Sequence, residues 1–327
     1  MSVERFDSSG LVRSENYAGT MDQVVLPWLY RRRRDFSLPG AQGKPLPVSC
    51  YAAEAPRGTV LLVHGFTENG EKYAELIHSL LKNRLSAVIW DQRGHGRAWR
   101  DPEIDDLSLT HVDDFEAYVE DMATVCDRVM GEMPGPWYLF GHSMGGAVAA
   151  LYLERRPGAF ERAVLCAPMI APNLMGIPRG VVRALCAGAS ILGWEKRRTF
   201  VTKPYVPPEP FETAAASGRE RFEWYEGIRA KTPLYQNNGP TYGWTGAALR
   251  ACRQLMAPGA VEKIDVPLRL YTAGEDRSVL PGPQIAFVER LRHGERILVP
   301  GARHEIYRST DAVLFPWWRG VLDYWLG

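Results

Sequence analysis

No stretch of the 327-residue chain reaches ~18 uninterrupted apolar residues, so no membrane-spanning helix is expected. The N-terminal MSVERFDSSG lacks the apolar core of a secretory leader. Net charge is nearly absent too. Lys and Arg number 39 against 38 Asp and Glu, a balance of +1 that gives no bulk attraction to nucleic acid. The one dense basic block, Arg31 to Arg34, reads as a solvated connector. Cysteines are few: Cys50, Cys126, Cys166, Cys186 and Cys252 are odd in number and have no C-x-x-C spacing, which suits reduced thiols. No His/Cys/Asp/Glu cluster has metal-ligand spacing, and no Gly-rich phosphate loop follows a strand, so neither metal nor cofactor is expected. Together these absences set the expectation of a cytoplasmic protein with no nucleic-acid partner.

What is present is an alternation. Short apolar, β-branched runs occur at 59–65, 86–92, 136–142, 162–168, 267–274 and 296–302, and helical patterns lie between most of them, at 72–82, 113–130, 145–156 and 283–293. That rhythm predicts an α/β fold: a mostly parallel central sheet with helices on both faces. PLPVSCYAA is expected to add an antiparallel strand at one edge. The rhythm breaks from about 171 to 259, where no strand pattern is visible and helical segments with Pro and aromatics dominate. The expected organisation is therefore a core from 1–170 and 260–327, interrupted by a helical cap insertion at 171–259.

Within WYLFGHSMGGAVAALYLERR, Ser143 stands where the strand pattern gives way to the helical one, in the frame Gly141-His142-Ser143-Met144-Gly145. In a G-x-S-x-G turn the serine backbone is strained and the flanking glycines let neighbouring backbone pass without a Cβ clash. The hydroxyl is thrust out at a helix N-terminus, where free N–H groups favour developing negative charge. A serine of this kind needs a base, and in such sheets the partners follow in the order Ser, acid, His. Only His293 and His304 come after Ser143. His293 ends a helical pattern, whereas His304 sits in the loop GARHE at a strand's carboxyl end, where open α/β sheets gather ligands, and is favoured. The loop AGEDRSV offers Glu275 and Asp276 as the acid, and Asp276 is preferred. The oxyanion donors expected are the backbone amides of Met144 and of Phe66 in the early loop LLVHGFTENG. His64, His95 and His142 read as structural loop histidines.

The motifs VHGFTENGEKYAELIHSLL, DQRGHGRA, HVDDFEAYVEDM, GHSMGGAVA, LCAPM, NNGPTYGWTGAALRA, AGEDRSV and PGARHEI together resemble the bacterial lysophospholipase branch of the α/β-hydrolases, close relatives of the monoacylglycerol lipases. The resemblance runs from about residue 45 to the C-terminus. By position it implies a nucleophile at Ser143, an acid at Asp276, a base at His304, and oxyanion donors at Phe66 and Met144. It implies hydrolysis of monoacyl lipid esters through an acyl-enzyme intermediate. Segment 171–235 departs from the branch, as does Ala98, where relatives often carry serine.

The cap's Leu174, Ile177, Leu185, Trp194, Phe200 and Trp244 suit an apolar enclosure over the serine. Between 171 and 205 six basic residues face the single acid Glu195, which reads as a solvated face or, alternatively, as a transient contact with a lipid surface or a phosphorylated headgroup. Other readings on the same fold are a short-chain carboxylesterase, an aminopeptidase using cap carboxylates such as Glu212, Glu220, Glu223 and Glu226, or a non-enzymatic ligand sensor.

Overall fold

The computed structural model describes residues 10–327. Ten strands form: β1 (Arg33–Pro39), β2 (Pro45–Tyr51), β3 (Thr59–Val63), β4 (Ser86–Trp90), β5 (Leu109–Thr110), β6 (Trp137–His142), β7 (Arg162–Cys166), β8 (Gly239–Pro240), β9 (Leu268–Ala273) and β10 (Gly294–Val299). Eight of them make one sheet in the order β1-β2-β4-β3-β6-β7-β9-β10, antiparallel at β1–β2 and β2–β4 and parallel beyond. Strands of this kind are apolar throughout because both faces are covered. In β3 the side chains alternate: Leu61 and Val63 pack to one side, Val60 and Leu62 to the other.

The helices are α1 (Tyr17–Thr20), α2 (Leu26–Tyr30), α3 (Ala74–Lys82), α4 (Glu116–Val129), α5 (Met144–Leu153), α6 (Arg179–Ile191), α7 (Arg219–Lys231), α8 (Tyr242–Leu255), α9 (Pro281–Val288) and α10 (Asp311–Leu326). Ile77 of α3 and Val321 of α10 join the core on the Val60 side, while Met122 of α4, Val148 of α5 and Phe287 of α9 join that on the Leu61 side. Each aliphatic side chain so buried contributes roughly 1.5–3 kcal/mol. The chain between β7 and β9 carries α6, α7, β8 and α8, and of these α8 packs its Ala247, Ala248 and Leu255 into the same core as α5. Among the described residues no helix is long and apolar enough to cross a membrane.

Three local expectations change. PLPVSCYAA does supply an antiparallel strand, but β1 lies outside it and forms the edge. The basic block is therefore not a plain connector: Arg33 and Arg34 open β1, and Arg32, Arg33 and Arg34 pair with Glu54, Glu71 and Glu132. Charged residues on an edge strand discourage pairing with another chain and mask the strand's apolar pattern. Third, residues 171–259 do contain a strand, β8, paired with β5. Two residues are too short to show a period.

Candidate active site

Ser143 ends the run from β6 into α5 with φ 50° and ψ −117°, a strained conformation for a residue with a side chain. Glycine is required on its far side. A Cβ on Gly145 would lie 2.1 Å from the carbonyl oxygen of Val63. The turn is thereby locked against the end of β3, and Ser143 Oγ faces the carboxyl ends of the parallel strands.

His304 comes from the loop after β10 and Asp276 from the loop after β9, so neighbouring strands deliver both. His304 Nε2 is 2.8 Å from Ser143 Oγ, and His304 Nδ1 is 2.8 Å from Asp276 Oδ2. The other Asp276 oxygen accepts the Ser278 and Val279 N–H groups at 2.7 and 3.0 Å, which fixes the carboxylate. Burial works to raise the Asp276 pKa, but the hydrogen bond and charge of His304, with those two amides, outweigh it and hold the carboxyl below its ordinary range. The alternatives lie elsewhere. His293 has a side chain 60% exposed beside Asp265, and Glu275 is exposed.

Met144 is the first residue of α5, so its N–H has no acceptor within the helix. The loop that carries Phe66 passes close to the serine: a Cβ on Gly65 would sit 3.1 Å from Ser143 Cβ. His64 is buried with its Nε2 accepting the Gln92 N–H at 2.8 Å, so it braces this loop. His95 packs edge-on against Phe66 and His64.

The sequence reading overlooked what lies behind these loops. Glu68, with a side chain 1% exposed, accepts hydrogen bonds from the Gly65 N–H, Tyr73 OH at 2.7 Å, Tyr307 OH at 2.6 Å and His142 Nδ1 at 3.0 Å, with Lys72 Nζ at 3.3 Å. One carboxylate thus ties the Phe66 loop, the residue before Ser143 and the segment after His304. Burial alone would lower the His142 pKa, but the charge and hydrogen bond of Glu68 raise it, and the His142 ring also meets the His304 carbonyl at 3.3 Å. Burial would raise Glu68, yet His142 and Lys72 bring it well below the ordinary carboxylate range. His142 is therefore more than a loop histidine: its ring bridges the buried Glu68 carboxylate and the His304 carbonyl beside the serine. The sequence signals were the glutamate inside VHGFTENGEKY and its lysine four residues on, neither of which names the partners.

Ser143 and His304 open into a cavity of about 420 Å³ lined largely by apolar side chains, among them Phe66, Leu174, Ile177, Leu185, Trp244 and Leu249. The Phe66 and Trp244 rings in this lining touch at a tilt, with centroids 4.2 Å apart and planes 39° to one another. The basic residues between 171 and 205 are in part neutralised. Lys196 pairs with Asp101 and Glu103, and Arg198 with Asp106.

The sequence model of the family described as "Serine aminopeptidase, S33" matches residues 54–311. The chain is 28% identical to lysophospholipase L2 of Escherichia coli strain K12, over 95% of this chain and 92% of that one. It is 26% identical to a monoacylglycerol lipase of Mycolicibacterium smegmatis, over 86% and 94%. A solved structure of a soluble variant of monoglyceride lipase from Saccharomyces cerevisiae, in complex with a substrate analog, superposes with a TM-score of 0.69 at 18% identity, covering 90% of this chain and 95% of that one.

Proposed function

The chain belongs to the serine aminopeptidase S33 family and has the α/β-hydrolase fold, and from that premise we propose that it hydrolyses the ester bond of single-chain lipids, with Ser143 as nucleophile. It is a carboxylic-ester hydrolase. In the proposed cycle His304 takes the Ser143 proton as Oγ attacks the ester carbonyl, and Asp276 fixes the imidazole tautomer and stabilises the imidazolium. The Phe66 and Met144 amides receive the negative charge on the carbonyl oxygen. His304 then protonates the leaving alcohol, and a water activated by the same imidazole cleaves the acyl-enzyme.

The observation that carries this reading is the hydrogen-bonded series Ser143–His304–Asp276 opening into an enclosure whose lining is mostly apolar. An enclosure of that kind excludes water and suits an acyl chain. We take residues 171–259 as the cap that forms it. The same segment exposes Ile191, Leu192, Phe200 and Met175 and carries the exposed Arg179 and Arg183, a composition suited to transient contact with a lipid surface. For the aminopeptidase reading, which needs a carboxylate for a substrate ammonium, Glu212 and Glu223 pair with Arg219 and Glu226 with Arg229, while Glu220 is exposed, so the aminoacyl amide in the panel decides between the two. The test is a substrate panel: p-nitrophenyl esters of increasing chain length, monoacylglycerols, lysophospholipids and aminoacyl amides. Catalytic efficiency should rise with chain length on single-chain esters, each buried methylene adding up to ~0.8 kcal/mol. A maximum at acetyl or butyryl, or a preference for amides, refutes the lipid assignment.

A further inference from the structure

The central sheet has two ends, and they are finished differently. At one end β1 carries Arg33, Arg34 and Asp35 and stops at Pro39, charges and a proline of the kind that keep an edge from pairing. At the other end β10 has β9 on one side, and among the described residues no strand lies on the other. The Leu268 N–H donates to the His293 carbonyl at 2.8 Å and the Gly274 N–H to that of Val299 at 3.0 Å, so the odd-numbered residues of β10 bond to β9. The N–H and C=O groups of Gly294, Arg296 and Leu298 consequently point away from the sheet. An unpaired row of that kind is a template for another strand.

The side chains leave the same edge open. Val299 belongs to the core on the Val60 side and Ile297 packs against it, which turns Arg296 and Leu298 to the opposite face, that of α9. On that face Leu298 remains 52% exposed and Ile285 of α9 38% exposed. Ile297, Leu298 and Val299 run without a charge, and Glu295 is already paired with Arg269 at 2.7 Å.

A second copy meeting this edge across a two-fold axis pairs antiparallel, and the residues select the register. An axis through Glu295 or Arg296 sets that residue against its own copy, a destabilising like-charge pair. An axis through Leu298 sets Arg296 against the partner's Pro300, which has no N–H to give. An axis through Ile297 avoids both faults. Arg296 then faces the partner's Leu298, Glu295 faces the partner's Val299, and Ile297 faces its own copy. The outward N–H and C=O groups of Arg296 and Leu298 form the hydrogen-bonded pairs, and the two Ile297 side chains form the close pair between them.

We propose that β10 pairs with β10 of a second copy of this chain about a two-fold axis at Ile297, joining the two sheets into one. The parallel strands of the two halves run in opposite senses, so the two Ser143 sites open at opposite ends of the dimer.

Sedimentation velocity on the intact chain, followed from about 1 to 100 μM, should show twice the chain mass at the upper end. Leu298→Lys keeps the backbone and sets a cation opposite the partner's Arg296, so it should weaken association by about tenfold or more. Hydrolysis of a p-nitrophenyl ester by that variant should be unchanged, which shows it folded. Leu298→Pro removes an outward N–H without touching the bonds to β9 and should act in the same direction. Single cysteines read the register. Opposed Cα atoms in a non-hydrogen-bonded antiparallel pair lie about 4.5 Å apart, within disulfide reach, so Ile297→Cys should give a covalent dimer under copper-phenanthroline and air. The native cysteines are all buried and give no competing link. Arg296→Cys and Leu298→Cys, which do not face their own copies, should cross-link about tenfold more slowly or less. A monomer at the highest concentration, a dimer indifferent to Leu298→Lys, or cross-linking no faster at Ile297→Cys than at Arg296→Cys or Leu298→Cys each overturns the proposal.

Discussion

Glu68→Gln replaces the buried carboxylate with an isosteric amide. The carboxylate takes donors from Gly65, Tyr73, Tyr307 and His142, whereas the amide has a single acceptor oxygen and turns two N–H groups of its own toward the rest. With its oxygen in the Oε2 place the amide still accepts from Gly65, Tyr73 and His142, and of these four donors only the Tyr307 hydroxyl loses its acceptor; the larger loss is the buried negative charge beside Lys72 and His142, and removing one partner of a buried charged group costs about 3–5 kcal/mol, ~4 kcal/mol at the midpoint. For a chain of this length the unfolding entropy is on the order of 0.69 kcal/mol per degree, so the melting temperature should fall by about 6 °C. His142 has a raised pKa in the fold, so its share of the pairing is fully present below the ordinary histidine value and is lost as pH rises through the folded one. Unfolding is therefore to be measured near pH 6, by calorimetry. Catalysis should suffer separately, because Gly65 precedes the Phe66 amide. A misplaced oxyanion donor costs up to about 10²–10³ in turnover, and a partial displacement should lower kcat by ~10- to 100-fold while KM moves within about twofold. Tyr307→Phe removes one donor and spares the carboxylate, and should cost only ~1 kcal/mol. A Glu68→Gln protein with lowered melting temperature and intact kcat would reduce Glu68 to a folding element. Unchanged values of both would falsify the reasoning outright.

Ser143→Ala should abolish labelling by a fluorophosphonate and cost several orders of magnitude in turnover; retention of more than about a tenth of the rate removes Ser143 as nucleophile. Asp276→Asn should lower kcat strongly and Glu275→Gln weakly, and the opposite ranking in the same ester assay transfers the acid role. Because the Asp276 pKa is lowered in the fold, its stabilising share is present above the ordinary aspartate value and lost as pH falls through the folded one. Urea midpoints of the intact protein and Asp276→Asn should accordingly converge on acidification, and a constant gap contradicts the pairing. Ile191→Asp, at a site 85% exposed, should slow hydrolysis of vesicle-embedded lipid far more than of a monomeric ester; equal effects on both exclude a lipid-contact role for that surface.

What the sequence determined by itself is local. Apolar runs such as TVLLV and WYLFGH become strands because their neighbours in the chain are uniformly apolar and β-branched or aromatic, and the Gly-x-Ser-x-Gly turn follows from steric limits within five residues. The order Ser143, Asp276, His304 was legible because each stands directly after a readable strand, and the sheet brings strand ends together. The charged network was not legible, because a carboxylate's partner is set by space and not by spacing: Glu68 meets His142 from 74 residues away and Tyr307 from 239. The same holds for the segment expected as a cap. Its sequence reads as a basic stretch, yet Lys196 and Arg198 find acids from the loop before β5, and Arg229 finds Glu209 from 20 residues away. β1 was hidden because its charges suit an edge, and only the neighbouring strand defines an edge. Periodicity and turn chemistry act over a few residues and can be read from a string, whereas burial and charge pairing depend on which distant segments the fold makes neighbours, and that tertiary structure alone decided.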